Sequence, residues 1–290
     1  MNTHAAAKVF PRQADDSGTP ASRQAPKPSA RATVARFLAT SRTGRAISGL
    51  IGVIIFVAIW KFAQASGWAH RGTIPDPFKV PAALLTEWRA GRLLPAIESS
   101  LVHYVWGLAM GTALGLGVGA LAALSTRADA LLGWLVRILR PIPPLAWVVF
   151  AIAWFQVSHA GAAFVIAIGV FWVNYFATYS AVRGVDPKYY ELARAFRQNG
   201  PFVRLIDVTL PAAAPGIFAG VRTGVGQAWM TLIAAELLGV PGMGQEMNAA
   251  AGVGAYDTVV VYMLVISLIY TLCDTAFMQL EKKALQWRPS

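Results

Sequence analysis

Long apolar runs separated by short polar segments dominate this chain. Each run is near the roughly 20 residues that a helix needs to cross the hydrocarbon core of a bilayer. The pattern predicts six transmembrane helices, at roughly residues 46–65, 100–124, 137–157, 162–182, 213–238 and 258–280. Because helices satisfy their own backbone hydrogen bonds in lipid, we predict an all-α fold, a polytopic membrane helical bundle.

The polar segments divide the chain into five parts. Residues 1–45 are rich in Ala, Ser, Pro and Arg, which predicts a disordered, basic tail. A first transmembrane helix at 46–66, an extracytoplasmic connector at 67–98, a core at 99–281 and a short tail at 282–290 follow. Within the connector, residues Ala82 to Trp88 predict an amphipathic helix on the membrane surface.

The first apolar run has two interpretations. It ends in Ala63-Gln64-Ala65, which has the form of a signal-peptidase site. A polar leader as long as residues 1–45 is unusual for a cleaved signal, so we expect a retained membrane span.

Composition and charge support the membrane class. The chain is 56% hydrophobic and 13% charged, and soluble chains carry about twice that charge. The net charge of +11 is spread over loops and tails, so we expect no nucleic-acid partner. Cys273 is the only cysteine and the four histidines are scattered, so neither a disulfide nor a metal site is expected.

The distribution of Lys and Arg predicts the orientation in the membrane. The two tails, the loop at Arg127 and the loop around Glu191 hold 17 of these residues, whereas the loops on the other side hold four. Positive residues concentrate on the cytoplasmic side. We therefore predict that both termini and the Glu191 loop are cytoplasmic.

The stretch 186–211 is the only long charged segment in the second half of the chain. Asp186 and Pro187 have the form of a helix N-cap and first helical position, and Gly200-Pro201 has the form of a stop. The stretch predicts two short helices, Pro187–Asn199 and Phe202–Leu210. A polar helical pair between two spans predicts a docking surface for a soluble partner.

Two spans carry unusual residues. The second has Gly107, Gly111, Gly115 and Gly119 on one helical face, a spacing that allows close helix packing in lipid. The third contains Pro141, Pro143 and Pro144, whose freed carbonyls predict that it lines the interior of the protein. Arg137 and Arg140 beside these prolines either line that interior or snorkel to the cytoplasmic interface.

Polar and aromatic side chains inside the spans have two interpretations: they line a solute pathway, or they form hydrogen bonds that connect neighbouring helices. We interpret Glu236 as a structural or gating residue near the outer end, paired with a hydroxyl or a backbone donor, and we expect Asp274 to cap or pair at the inner side. The pathway candidates are Arg140, Pro144, Trp147, Asn174, Tyr175, Thr178, Gln227, Trp229 and Glu236.

Several motifs together resemble one family. Glu191-Leu192-Ala193 with Gly200 and Leu210-Pro211 resembles the coupling loop of the permease subunits of bacterial ABC importers. Further similar stretches are Ile74-Pro75-Asp76-Pro77, Arg140 to Trp147, Ala234-Ala235-Glu236, Gly242-Met243-Gly244 and Trp287. The chain resembles type I importer permeases with the MetI-like fold, in the branch for nitrate, sulfonates and taurine.

The resemblance implies a function. It implies an inner-membrane permease that works as two copies with two cytoplasmic ATPase subunits and a periplasmic binding protein, importing a small anion. ATP and Mg²⁺ would bind to the ATPase, which agrees with the lack of a Gly-x-x-x-x-Gly-Lys-Ser/Thr phosphate loop in this chain. Small Ala193 and Ala195 would let the ATPase approach closely, and Glu191 would accept hydrogen bonds at the helix start. The implied coupling residues are Asp186, Glu191, Leu192, Ala193, Ala195, Gly200, Leu210 and Pro211.

Three alternatives remain open: an ABC permease for another small solute, a stand-alone secondary transporter and a membrane enzyme. A secondary transporter is expected to show repeated halves, and the first and last three spans show no repeat. An enzyme would need clustered His or acidic residues at an interface, or a catalytic triad, and the sequence has neither pattern. We therefore expect no catalytic site.

Overall fold

The computed structural model describes residues 42–67, 73–196, 200–237 and 239–286. The predicted N-terminal tail up to residue 41 and Trp287 lie outside these residues. The chain divides into two compact units, residues 1–58 and 59–290, and each is described by itself.

The described residues form helices joined by short turns. They are α1 (Arg42–Ala65), α2 (Val80–Arg89), α3 (Leu93–Leu124), α4 (Thr126–Leu139), a 3₁₀ turn (Pro144–Trp147), α5 (Val148–Phe155), α6 (His159–Arg183), α7 (Pro187–Ala195), α8 (Pro201–Arg204), a π-helical turn (Leu205–Thr209), α9 (Leu210–Glu236), α10 (Met243–Gly252) and α11 (Tyr256–Ala284).

The structure has five to six candidate spans where the sequence predicts six. In the described part of the chain, five helical stretches are long and apolar enough to cross a membrane, and one bent pair is a sixth if its two helices form a single span. The five are Ala46–Ala65, Leu93–Leu124, His159–Arg183, Leu205–Glu236 and Tyr256–Ala284. The prediction of an all-α membrane bundle is confirmed.

The third span is not the single helix that its apolar run suggested. It consists of α4 and the Pro144–Phe155 stretch, which meet at an angle of 90°. The break falls at Arg140–Pro143, where Pro141 and Pro143 have no N–H for the helical ladder and restrict the residues before them.

Helices α3, α6 and α9 pack together as the centre of the unit that covers residues 59–290. Buried apolar side chains of all three meet here, among them Tyr104 of α3, Ile166 of α6 and Trp229 of α9. The Tyr104 and Trp229 rings lie 4.7 Å apart, centroid to centroid. The polar loops lie at the ends of this packed centre.

The glycine repeat of α3 packs against α6, as its spacing predicted. A Cβ atom on Gly115 would lie 2.7 Å from the Asn174 Cβ and 2.8 Å from the Phe171 carbonyl oxygen. A Cβ on Gly119 would lie 2.7 Å from the Tyr175 carbonyl oxygen. These glycines therefore let the two helix backbones approach more closely than any side chain would permit.

Gly115→Ala should destabilise the bundle by about 1–3 kcal/mol, because the added methyl overpacks the contact between α3 and α6. Gly117→Ala is the matched control, since a Cβ there meets no atom within 4 Å. Thermal unfolding of the purified variants in one detergent measures the difference. Equal midpoints for the two variants would contradict this account of the repeat.

The predicted surface helix forms as α2, and an ionic cluster around the buried Glu87 connects it to the start of α3 and to α11. Arg92 donates to Glu87 through Nε at 2.9 Å and Nη2 at 2.6 Å, and the Tyr262 hydroxyl donates to Glu87 at 3.2 Å. The guanidinium hydrogen bond from Arg92 holds the pKa of the Glu87 carboxyl below its usual range. Glu87 thus remains charged and binds both neighbours.

The Ile74–Pro77 motif forms a turn that holds the end of α1. Lys61 forms a salt bridge to Asp76 at 2.8 Å, and the Trp60 indole N–H donates to the Pro75 carbonyl at 3.0 Å. The Lys61 hydrogen bond also holds the pKa of Asp76 below its usual range.

Candidate functional site

The Glu191 loop begins with the predicted cap. The Asp186 carboxylate accepts a hydrogen bond from the Lys188 N–H at 2.9 Å, and Pro187 occupies the first turn of α7. The helix ends at Ala195, earlier than predicted, and Asn199 lies outside the described residues. Gly200 directly precedes α8.

One face of α7 exposes three large apolar side chains. Tyr189, Leu192 and Phe196 are 55%, 57% and 74% exposed. Their spacing of i, i+3 and i+7 places them on one side of the helix. Exposed apolar side chains in an otherwise polar loop are typical of a surface that binds another protein. We call Tyr189, Leu192 and Phe196 the apolar stripe.

The predicted contacts of Ala193 and Glu191 with a partner stay predictions. Ala193 is only 6% exposed and packs against its own chain. Ala195, in contrast, is exposed. Glu191 is also exposed and makes no hydrogen bond among the described residues, because Asp186 already caps the helix.

The opposite face of α7 rests on the start of the fifth span. The Tyr190 hydroxyl lies 3.1 Å from the Thr209 hydroxyl, which donates to the Arg204 carbonyl at 3.2 Å. Beneath them, Val182, Val185 and Ala213 form a small apolar cluster with Tyr190 at its edge. The loop is therefore packed against both α6 and α9.

The second predicted helix of the loop is continuous with the fifth span. The separate helix Phe202–Leu210 that the sequence suggested is absent, because α8, the π-helical turn and α9 follow without a break from Pro201 to Glu236. Pro211 has no N–H to donate four residues back, which accounts for a wide turn immediately before Leu210 and Pro211. A movement of the loop would reach α9 directly.

At the other end of α9, Glu236 is fully buried in a polar network. The Ser100 hydroxyl and the Gly244 N–H each donate to Glu236 Oε2 at 2.9 Å. The Ser100 oxygen in turn accepts from the Met243 N–H at 2.9 Å. The predicted pairing of Glu236 with a hydroxyl and a backbone donor is confirmed.

Two histidines complete this network, and the sequence reasoning missed them. His103 Nδ1 lies 3.0 Å from Glu236 Oε1, and His103 Nε2 lies 2.6 Å from His159 Nδ1. His103 is fully buried whereas His159 is exposed, so the network runs from the surface into the bundle. The sequence did contain a signal for this network: His103 lies inside an apolar run, where a polar side chain usually faces the interior of the bundle.

The Gly242-Met243-Gly244 motif fits tightly around Glu236. A Cβ on Gly242 would collide with the Glu236 carboxyl group, and one on Gly244 would lie 2.7 Å from the Glu236 Cβ. Glycine is therefore required on both sides of Met243. Although Glu236, His103 and His159 follow one another in this network, no group of three or more His, Cys, Asp or Glu residues in the described ranges is arranged to hold a metal ion.

A large open cavity of about 920 Å³ lies between α4 and α6. Arg137 and Arg140 line it, with the Arg137 guanidinium 5.2 Å from the Trp134 ring and the Arg140 guanidinium 4.3 Å from the Phe176 ring. The remaining lining residues are Thr126, Asp129, Ala130, Gly133, Val136, Pro141, Tyr175 and Tyr179.

The other pathway candidates lie apart from this cavity. Asn174 is buried, donates to the Thr112 hydroxyl at 3.0 Å and lies against Gly224, so it connects α3, α6 and α9. Thr178 is buried near Gly119. Of the nine candidates, only Arg140 and Tyr175 share the cavity, and the predicted pathway stays a prediction.

The remaining candidates belong to helix contacts. Gln227 donates to Thr231 at 3.3 Å within α9, and Trp229 is buried against Tyr104. Pro144 lies beside Gly169 of α6, and the Trp147 ring packs 5.8 Å from the Phe150 ring.

Asp274 pairs with a partner on another span. Arg222 of α9 donates to it from Nε at 3.1 Å and from Nη2 at 3.2 Å. The predicted pairing is confirmed, with Arg222 as the partner, and it connects α9 to α11.

The fold and the loop match a known family. The model of the family described as "Binding-protein-dependent transport system inner membrane component" matches residues 111–285, which is more than half of the chain. That range includes the Glu191 loop, α9 and α11. The chain belongs to this family of multi-pass membrane permeases.

Two named relatives cover most of the chain. SsuC of Bacillus subtilis, whose name describes an aliphatic sulfonates transport permease, is 30% identical over 84% of this chain and 88% of its own. The bicarbonate transport system permease CmpB of Synechococcus elongatus is 32% identical over 76% of this chain and 81% of its own.

A solved structure has the same fold. The inward-facing MetNI methionine ABC transporter contains a chain that superposes with a TM-score of 0.59 at 20% identity, covering 68% of this chain and 98% of that one. This likeness supports the predicted MetI-like fold.

Proposed function

We propose that this chain is the membrane-spanning permease subunit of an ATP-driven importer for a small anion such as a sulfonate, taurine or nitrate. It would act as a homodimer with two cytoplasmic ATPase subunits and a periplasmic binding protein. ATP and Mg²⁺ would bind to the ATPase, and this chain would bind no cofactor. The relatives described as sulfonate and bicarbonate permeases support an anionic solute.

The apolar stripe on α7 is the observation that carries this proposal. Three large apolar side chains exposed on a short helix match the mode of binding in which a helix inserts into a groove. A cytoplasmic ATPase subunit would supply that groove.

The contacts beneath α7 supply a route for coupling. A displacement of the apolar stripe would be transmitted through the contact of Tyr190 with Thr209 to α9, which extends to Glu236 at its opposite end. The cluster of Val182, Val185 and Ala213 would carry the same movement into α6. ATP-driven closure of the ATPase pair would thereby shift the spans between outward and inward access.

ATP-dependent uptake tests the proposal. The chain, its ATPase and its binding protein are reconstituted in liposomes, and the entry of a labelled sulfonate is measured. We expect entry only with ATP and with all three components. Entry that an ion gradient drives without ATP would overturn the proposal in favour of a secondary transporter.

A reporter fused after Ser290 should be active only in its cytoplasmic form, because the distribution of Lys and Arg predicts that both termini are cytoplasmic. A paired phosphatase and green fluorescent protein fusion measures this. A fusion to a variant with an additional span at the C-terminus is the control. Periplasmic activity of the fusion after Ser290 would contradict the orientation.

A further inference from the structure

We infer that the cavity between α4 and α6 binds an organic anion that carries an oxyanion group on an apolar, preferably aromatic, body. The inference rests on the proposed function, since it names the substrate class of the same importer. It assigns to Arg137 and Arg140 a role in holding the oxyanion.

The charges of the cavity are the first argument. Neither Arg137 nor Arg140 forms a salt bridge with any described residue. The one carboxylate of the lining, Asp129, is already occupied, because Arg183 donates to it at 2.6 Å and the Tyr179 hydroxyl at 3.2 Å. Two cations in a membrane-spanning segment are thus left without a counter-charge, and an anion would supply one.

The geometry of the arginines suits an oxyanion. Arg137 and Arg140 are three residues apart at the end of α4, a spacing that places both on one side of a helix. The two guanidinium groups lie against the Trp134 and Phe176 rings. A guanidinium offers a planar fork of N–H donors that fits the oxygens of a sulfonate or carboxylate.

The size and lining of the cavity favour an organic anion over a purely inorganic one. Its volume of about 920 Å³ lies in the range of sites for drug-sized ligands. A nitrate or bicarbonate ion has four heavy atoms and would leave most of this space unfilled. The Trp134, Tyr175, Phe176 and Tyr179 rings offer apolar faces to the body of a larger ligand.

A phospholipid headgroup has the same chemistry, an oxyanion beside an apolar body, so the experiment separates the two sources. The complex of this chain with its ATPase is placed in nanodiscs of neutral phosphatidylcholine. Calorimetric titrations use benzenesulfonate, the uncharged benzenesulfonamide, and nitrate. A parallel set of nanodiscs contains phosphatidylglycerol.

We expect saturable binding of benzenesulfonate, with benzenesulfonamide and nitrate weaker by about tenfold or more. Arg137→Gln and Arg140→Gln should each reduce the affinity by about tenfold or more, since each removes a charged donor pair. Arg127→Gln is the matched control: Arg127 is exposed on the same helix and does not line the cavity, so affinity should not change.

Three results would overturn the inference: no saturable binding in phosphatidylcholine, equal binding to the Arg137→Gln/Arg140→Gln double variant, or loss of binding when phosphatidylglycerol is present. The last result would assign the cavity to a lipid headgroup. ATP-driven uptake is measured separately, with the same purified proteins and the binding protein in liposomes, because a nanodisc encloses no interior volume. ATP-driven uptake without benzenesulfonate binding would refute the binding site and support the proposed function. Binding without ATP-driven uptake would refute the proposed function and support the binding site.

Discussion

Replacing Glu236 with alanine should remove most of the folded protein from the membrane. The substitution leaves His103, the Ser100 hydroxyl and the Gly244 N–H without the carboxylate that all three contact. Removing one partner of a buried ionic or hydrogen-bonded set costs about 3–5 kcal/mol, which is comparable to the whole stability of many domains. Glu236→Gln should cost less, because its amide oxygen still accepts hydrogen bonds.

The yield of monodisperse protein in detergent and its unfolding midpoint measure this effect. Glu98→Ala is the control, since it removes an exposed carboxylate without known hydrogen bonds from α3, the helix that carries Ser100 and His103. If Glu236→Ala retained the yield and midpoint of Glu98→Ala, the network would not hold α3, α9 and the start of α10 together.

The double variant Leu192→Ser/Phe196→Ser should abolish uptake while leaving the folded protein at its normal level. Both side chains are exposed, so their loss removes little from the packing of the chain itself. Hot-spot residues of an interface contribute about 2 kcal/mol or more each, so if Leu192 and Phe196 are hot spots the affinity for the ATPase should fall by about 30-fold or more per residue.

Arg194→Ser is the matched control for the double variant. Arg194 is also exposed on α7 but points away from the apolar stripe, so uptake and co-purification of the ATPase should remain near the wild-type level. If the double variant co-purified as much ATPase as Arg194→Ser, the apolar stripe would not be the docking surface.

Features that depend on local spacing could be predicted from the sequence. The four glycines of α3 are spaced for one helical face, and that face does meet α6. Asp186 and Pro187 have the local form of a helix start, and the cap forms as expected. Apolar run length likewise gave the number of spans, because the bilayer thickness sets it.

Features that depend on contacts between distant residues could not be predicted from the sequence. His103 and His159 are 56 residues apart and meet only because α3 packs along α6. Ala193 was expected to face a partner, but it is buried against its own chain. Which side of α7 rests on the fifth span depends on the contact between Tyr190 and Thr209, two residues far apart in the sequence. The cavity around Arg140 requires the 90° bend after α4, and prolines indicate a break without fixing its angle.

The central claim is that α7 docks on the ATPase, and site-directed cross-linking tests it most directly. Cys273, the only cysteine, is first replaced by serine, and Leu192→Cys is then introduced. A short bifunctional reagent is applied to membranes that contain the complete transporter. The account predicts a covalent adduct of this chain with the ATPase from Leu192→Cys and none from Trp88→Cys, which is exposed on α2. No adduct at Leu192, or equal adducts at both positions, would contradict it.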